Sequence, residues 1–280
     1  MIHDVRLTLA RPGLASASLE GLIDAEAFAA TTPSQVRTPV AAIRAAPDPQ
    51  AEQIDQLLFG EMFDILEDRG GFAWGQARRD GYVGFVDQNA LSTSQAAPTH
   101  WVSVRGAFAF AEPSIRSQPF GPLSLNALVT VDDDEGPLAH ALGAGWIART
   151  HLTPLGEVLD DPATVAERLL GAPYLWGGRD SQGLDCSGLI QQALFACGQG
   201  CPRDADQQML VGAAIRRESL RRGDLVFWPG HVGMMLDAER LIHANAHHMA
   251  VAVEPLEVAA VRIAQTTSGP PAAFRRPCGP

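Results

Sequence analysis

The chain has 280 residues, enough for two or three folded units at about 100–200 residues each. Hydrophobic residues make up 46% and charged residues 19%, the composition of a folded protein, which excludes disorder over most of the length. Its 21 Lys and Arg against 32 Asp and Glu give a formal net charge of −11, which excludes nucleic acid and anionic membrane as the main partner.

Asp4, Arg6, Arg11, Glu20, Asp24 and Glu26 interrupt any apolar stretch of a secretory leader in the first thirty residues. The longest uncharged runs, such as 187–202, are broken by Gln, Gly and Pro, so no membrane span is expected. Cys186, Cys197, Cys201 and Cys278 are too sparse for a disulfide framework and match no paired zinc spacing. These features together predict a cytoplasmic protein in a reducing compartment.

Residues 1–32 have weak periodicity and close on Thr31-Thr32-Pro33, which reads as an N-terminal arm. From 33 to 97, β-like runs over 61–66, 72–76 and 82–86 alternate with turns at Arg69-Gly70-Gly71 and Asp80-Gly81, the pattern of a small barrel. Residues 98–152 read as a second copy at an offset of about 64. Pro49 falls on Pro113, Ile65 on Val129, Gly81-Tyr82-Val83 on Gly145-Trp146-Ile147, and Glu67-Asp68 on an acidic turn at 132–135. Gly60-Glu61 through Asp80-Gly81-Tyr82-Val83-Gly84 resembles the bacterial Src-homology-3 barrel.

A third domain is expected over 153–280. Asp161-Pro162 is an N-cap with Pro at the first helical position, and its helix ends at Gly171. Leu189, Ile190, Ala193, Leu194 and Cys197 recur at helical spacing before Gly198, predicting a buried helix with Cys186 at its start. Asp204-x-x-Gln207 resembles a capping box, and strands are expected over 225–228, 231–236, 241–245 and 250–254. The class is α+β, a domain of helices and then antiparallel sheet preceded by two small all-β barrels.

A thiol in the first turn of a helix meets unpaired backbone N–H groups and the helix dipole, which favour thiolate. A cysteine there is a nucleophile or a buried inert thiol. The Gly-rich approach 177–178 and the small neighbours in Gly183-Leu184-Asp185-Cys186-Ser187-Gly188 favour the nucleophile. Such a thiol needs a base and a group to orient it, and His231 and His243 are the candidates. An odd-length loop between their strands pairs Gly233 with His243 and makes the two histidines same-face diagonal neighbours at roughly 7–8 Å; an even loop turns them apart. His247-His248 with His243 could suggest a metal site, but no acidic partner is evident, so neither metal nor cofactor is expected.

Tyr174-Leu175-Trp176-Gly177-Gly178, Asp185-Cys186-Ser187-Gly188-Leu189, Pro202-Arg203-Asp204, Gly223-Asp224-Leu225, Gly230-His231-Val232-Gly233 and Ile242-His243-Ala244 together resemble the NlpC family of papain-like bacterial cysteine peptidases. The resemblance implies cleavage of cell-wall peptides between γ-linked D-glutamate and a diamino acid. Carried over by position, it implies Cys186 as nucleophile, His231 as base and His243 as orienting residue, with the Cys186 backbone N–H as an oxyanion donor. It further implies that Asp185 and Ser187 hold the free amino terminus of the substrate's L-alanine, with Tyr174, Glu61 and Tyr82 as additional substrate contacts. Asp185 equally reads as the helix N-cap. Ala205 departs from the family, where many relatives carry Ser. A cysteine peptidase of murein-peptide recycling is the leading expectation; a non-catalytic cell-wall-peptide binder and an amidase or acyltransferase on the same core are the alternatives.

Overall fold

The structure is a computed structural model that describes residues 3–133, 136–266 and 269–277. Asp134 and Glu135 of the expected acidic turn, and Cys278, lie outside the described residues. The chain divides into two compact units, Met1–Leu155 and Gly156–Pro280.

In the N-terminal unit, the stretch read as an arm carries a small sheet of Ala10–Arg11, Leu14–Ser16 and Phe28–Ala29. It is tied to the rest of the unit by Val83 N–H donating to Arg6 O and Gln76 Nε2 donating to Leu7 O. A seven-stranded sheet then orders Leu91–Ser92, Thr32–Val36, Met62–Arg69, Phe72–Ala77, Val83–Asp87, Val40–Arg44 and Gln53–Leu58. The second stretch repeats this order in two sheets, Leu152–Pro154, His100–Val102 and Leu128–Val129, then Val131–Asp133, Leu138–Ala141, Gly145–Ala148, Gly106–Phe110 and Pro119–Ser124.

The offset between the copies is not constant. Gly60 N–H donates to Val36 O as Asn126 N–H donates to Val102 O, both donors having positive φ, which sets the early offset at 66. Ser34 pairs with Phe63 as His100 pairs with Val129, so Phe63, not Ile65, is the counterpart of Val129. In the same frame Pro47, not Pro49, falls on Pro113. From the Gly145 hairpin onward the offset falls to 61: Leu91 pairs with Val36 as Leu152 pairs with Val102, and Arg37 N–H donates to Ala90 O as Ser103 N–H donates to His151 O, so Gly84-Phe85-Val86, not the expected Gly81-Tyr82-Val83, falls on Gly145-Trp146-Ile147.

The C-terminal unit starts with α1, Pro162–Arg168, whose N-cap Asp161 accepts the Ala163 N–H. Helix α2, Cys186–Ala196, is buried along almost its whole length, so its apolar character is not confined to one stripe. Helix α3, Ala205–Gln208, comes next, and Gln207 Oε1 accepts the Asp204 N–H. A six-stranded antiparallel sheet is ordered Ala213–Ala214, Ala273–Arg276, Leu225–Trp228, His231–Met235, Arg240–Asn245, Ala250–Pro255. Helix α4, Leu256–Thr266, which sequence reading did not anticipate, seats Leu256, Ala259, Ala260 and Ile263 on Val226, Trp228, Met235 and Leu241. Among the described residues, no helix is long and apolar enough to cross a membrane.

Candidate active site

Asp185 ends the loop before α2 and caps the helix. Its Oδ1 accepts from Gly188 N–H at 2.7 Å, Ser187 Oγ at 3.1 Å and Arg203 Nη1 at 3.0 Å, and its Oδ2 accepts from Arg203 Nη2. Arg203 Nη1 also donates to Ser187 Oγ at 2.8 Å, so one buried guanidinium clamps both residues beside the thiol. Gln208 Nε2 donates to Ser187 O at 3.0 Å and holds the backbone on that side.

Cys186 is next in the chain, and the backbone N–H groups of Val232 and Ser187 bear on its thiol, favouring the thiolate. Val232 follows His231, the first residue of its strand, so the thiol lies toward the end of the sheet where that strand begins. Met234 pairs with Ile242 and Met235 with Leu241, which leaves the odd-numbered loop 236–240. This is the register that turns His231 and His243 to one face. Their rings meet, His231 Nε2 lying 2.8 Å from His243 Nδ1.

On the next strand Ala252 pairs with His243 and Glu254 with Leu241, so Glu254 is the diagonal same-face neighbour of His243. His243 Nε2 lies 2.7 Å from Glu254 Oε1, and Arg262 of α4 forms an ion pair with the same oxygen. Sequence reading missed Glu254 and Arg262. Glu254 is a lone acid in the run Ala250–Glu254, and only the register of two strand pairs reveals that it faces His243.

Burial, aided by the Asp185 carboxylate, pushes the Cys186 thiol up to about 12 against the opposing Val232, Ser187 and Arg203. The helix-start argument expects a lowered value; here desolvation and the capping acid outweigh the backbone donors. Burial, with His243 and Arg262 adding to it, pulls His231 down to about 3. His243 is also lowered, because burial outweighs its bond to Glu254. Burial raises Glu254, but the His243 hydrogen bond and Arg262 prevail and hold it at about 2. Each shift favours the uncharged form at Cys186 and at His231, and the charged form at Glu254. Tyr174, raised first by burial and then by Cys186 and Asp185, belongs to the same electrostatic surroundings.

Glu61 and Tyr82 belong to the N-terminal unit. Glu61 is buried, accepting Leu58 N–H at 3.1 Å and Arg79 Nη1 at 2.8 Å, while Arg79 also donates to Asn126 O and so ties the two stretches together. Tyr82 is buried, its N–H donating to Asp80 Oδ1. His243, His248 and Glu254 offer ligand atoms within 4.8 Å of one another. The acidic partner absent from the sequence reading is thus present, but His243 Nε2 and Arg262 already share its Oε1, and a guanidinium there repels a cation.

A thiol at the start of a buried helix, set against a sheet that carries a histidine pair, is the architecture of papain-like cysteine hydrolases. Comparison with known proteins agrees. The NlpC/P60 family profile matches residues 171–265, and that of the bacterial dipeptidyl-peptidase Sh3 domain matches 43–91. The gamma-D-glutamyl-L-lysine dipeptidyl-peptidase of Bacillus cereus is 32% identical over 232 residues, covering 72% of this chain and 70% of that protein. Dipeptidyl-peptidase 6 of Lysinibacillus sphaericus is 26% identical, covering 78% of this chain and 89% of that protein. A crystal structure of an NlpC/P60 family protein from Bacillus cereus shares the fold at 19% identity and a TM-score of 0.74, covering 87% of this chain and 99% of that one. The chain is a cysteine peptidase with an SH3-type N-terminal domain, and it belongs to the NlpC/P60 family.

Proposed function

We propose that the protein hydrolyses the γ-D-glutamyl-diamino acid bond of free peptidoglycan-derived peptides that carry an unblocked N-terminal L-alanine. The observation that carries this reading is the grouping of Asp185, Ser187 and Tyr174 around Cys186, in a chain whose relatives are named dipeptidyl-peptidases. Arg203 already pairs with Asp185, so an ammonium there is held by hydrogen bonds to the lone pairs that remain on Asp185 Oδ2 and Ser187 Oγ, and an amino terminus fixed there limits how much peptide lies on that side of the scissile bond. Glu61 and Tyr82 enter the proposal on the resemblance alone. The division into barrels at 33–97 and 98–152 with a peptidase domain at 153–280, and the placing of the reaction in cytoplasmic recycling, enter it on the sequence expectations.

In the reaction, His231 takes the Cys186 proton at Nδ1, the ring nitrogen not engaged by His243, as the sulfur attacks the scissile carbonyl. The Cys186 backbone N–H stabilises the oxyanion. His231 then gives its proton to the leaving amine, and water attacking through the same base releases the acyl group from sulfur. A neutral thiol and a neutral imidazole suit this route, since the proton moves as the C–S bond forms.

Mass spectrometry of L-Ala-γ-D-Glu-meso-diaminopimelate incubated with the protein tests the proposal. Release of L-Ala-D-Glu by the wild type, its loss in Cys186→Ala, and its loss on acetylating the peptide amine are expected. Equal cleavage of free and acetylated peptides would remove the amine anchor, and cleavage of neither would remove the substrate class.

A further inference from the structure

The hydrogen-bonded series from His231 to Glu254 carries an inference that rests on the peptidase reading and goes past it. An ionised carboxylate only accepts, so His243 Nε2, 2.7 Å from Glu254 Oε1, carries its ring proton. Neutral His243 then has its lone pair on Nδ1, 2.8 Å from His231 Nε2, which is therefore the donor. His231 is left with its own lone pair on Nδ1.

We propose that Glu254, held by Arg262, is the positioning residue that fixes the tautomers of both histidines, so that His231 offers Cys186 a lone pair rather than an N–H. The contact between the two rings does not do this alone, because either nitrogen can be the donor. In the reverse arrangement His243 Nδ1–H donates to His231 Nε2, His231 carries its proton on Nδ1, and the thiol has no base.

Arg262 guards against that arrangement. A protonated Glu254 would become a donor and reverse both rings, whereas a guanidinium on the same oxygen keeps the carboxylate ionised. When the Cys186 proton reaches His231 Nδ1, His231 Nε2–H stays donated to His243 and no proton moves to Glu254. Glu254 acts only through two imidazoles.

The test is long-range 1H–15N correlation spectroscopy of the full chain labelled with 15N-histidine, together with the rate of Cys186 alkylation by iodoacetamide. In the wild type, His231 and His243 are expected to carry their protons on Nε2. Glu254→Leu should populate the reverse tautomers and slow alkylation by about 10²–10⁴, the usual worth of a positioned base. Glu254→Gln, whose amide oxygen Arg262 keeps turned to His243, should retain the tautomers and most of the rate. A ring proton on Nδ1 of either histidine in the wild type would overturn the proposal, as would wild-type spectra and rates in a folded Glu254→Leu. If that variant does not fold, the wild-type spectrum decides. Neither readout uses a peptide, so an error in the assigned substrate leaves both intact.

Discussion

At the scale of single residues, Asp185 does two opposed things. It caps α2 and pairs with Arg203, which holds Cys186 in place, and its charge makes the thiol harder to ionise. Removing the charge should separate the two effects. In Asp185→Asn the thiol loses the carboxylate that raises it while Arg203, which lowers it, remains, so the thiolate titration, followed at 240 nm, should move to lower pH. The same change removes one side of the buried Asp185–Arg203 pair, and breaking a buried pair from one side costs about 3–5 kcal/mol. An unchanged or higher titration midpoint would mean that Asp185 acts on Cys186 through structure rather than charge.

At the scale of elements, the approach to α2 depends on close packing between backbones. A Cβ on Gly188 would stand 2.1 Å from Gly178 O and 3.1 Å from Asp185 Oδ1, so the loop that delivers Cys186 lies directly on the first turn of the helix. Gly188→Ala must push this loop away, and overpacking of this kind costs about 1–3 kcal/mol. Activity is expected to fall further than stability, since the displaced atoms flank the thiol; urea melts and peptide turnover on one preparation would show it. Activity kept at reduced stability would contradict that coupling. Much of this element was legible in the sequence, because Gly183 through Gly188, the helical spacing of Leu189 to Cys197 and Gly198 are local signals. The facing of His231 and His243 was legible only as a condition on loop parity, which the pairing of Met235 with Leu241 resolves. Helix α4 was not legible. Its apolar residues Leu256, Ala259, Ala260 and Ile263 have helical spacing, but Val258, Val261 and Ile263 are β-branched, and it is the packing of Leu256, Ala259, Ala260 and Ile263 on the sheet that decides the helix. Glu254 and Arg262 were missed for the same reason, since one is fixed by strand register and the other by that helix.

At the scale of the whole molecule, the buried polar relay should make the protein sensitive to acid, and the sign can be worked out group by group. His231 binds its proton near 6.5 when unfolded and only near 3 when folded, so unfolding takes up a proton between these values. Its contribution to stability is complete above about 6.5 and is lost as pH falls toward 3. Glu254, held down from 4.5 to about 2, acts in the same direction over a lower window, its contribution being complete above 4.5 and lost by about 2. Other carboxylates are also lowered, Asp161 among them, so the total slope belongs to no single group. The slope difference between wild type and a variant does. Urea midpoints followed by tryptophan fluorescence should fall as pH drops from 6.5 to 3, and the fall should be shallower in His231→Gln over that whole range. Glu254→Gln should match the wild-type slope between 6.5 and 5 and become shallower only below 4.5. If Glu254→Gln instead flattens the upper window, the two groups titrate as one unit, and the carboxylate governs the charge of the histidines as well as their tautomers.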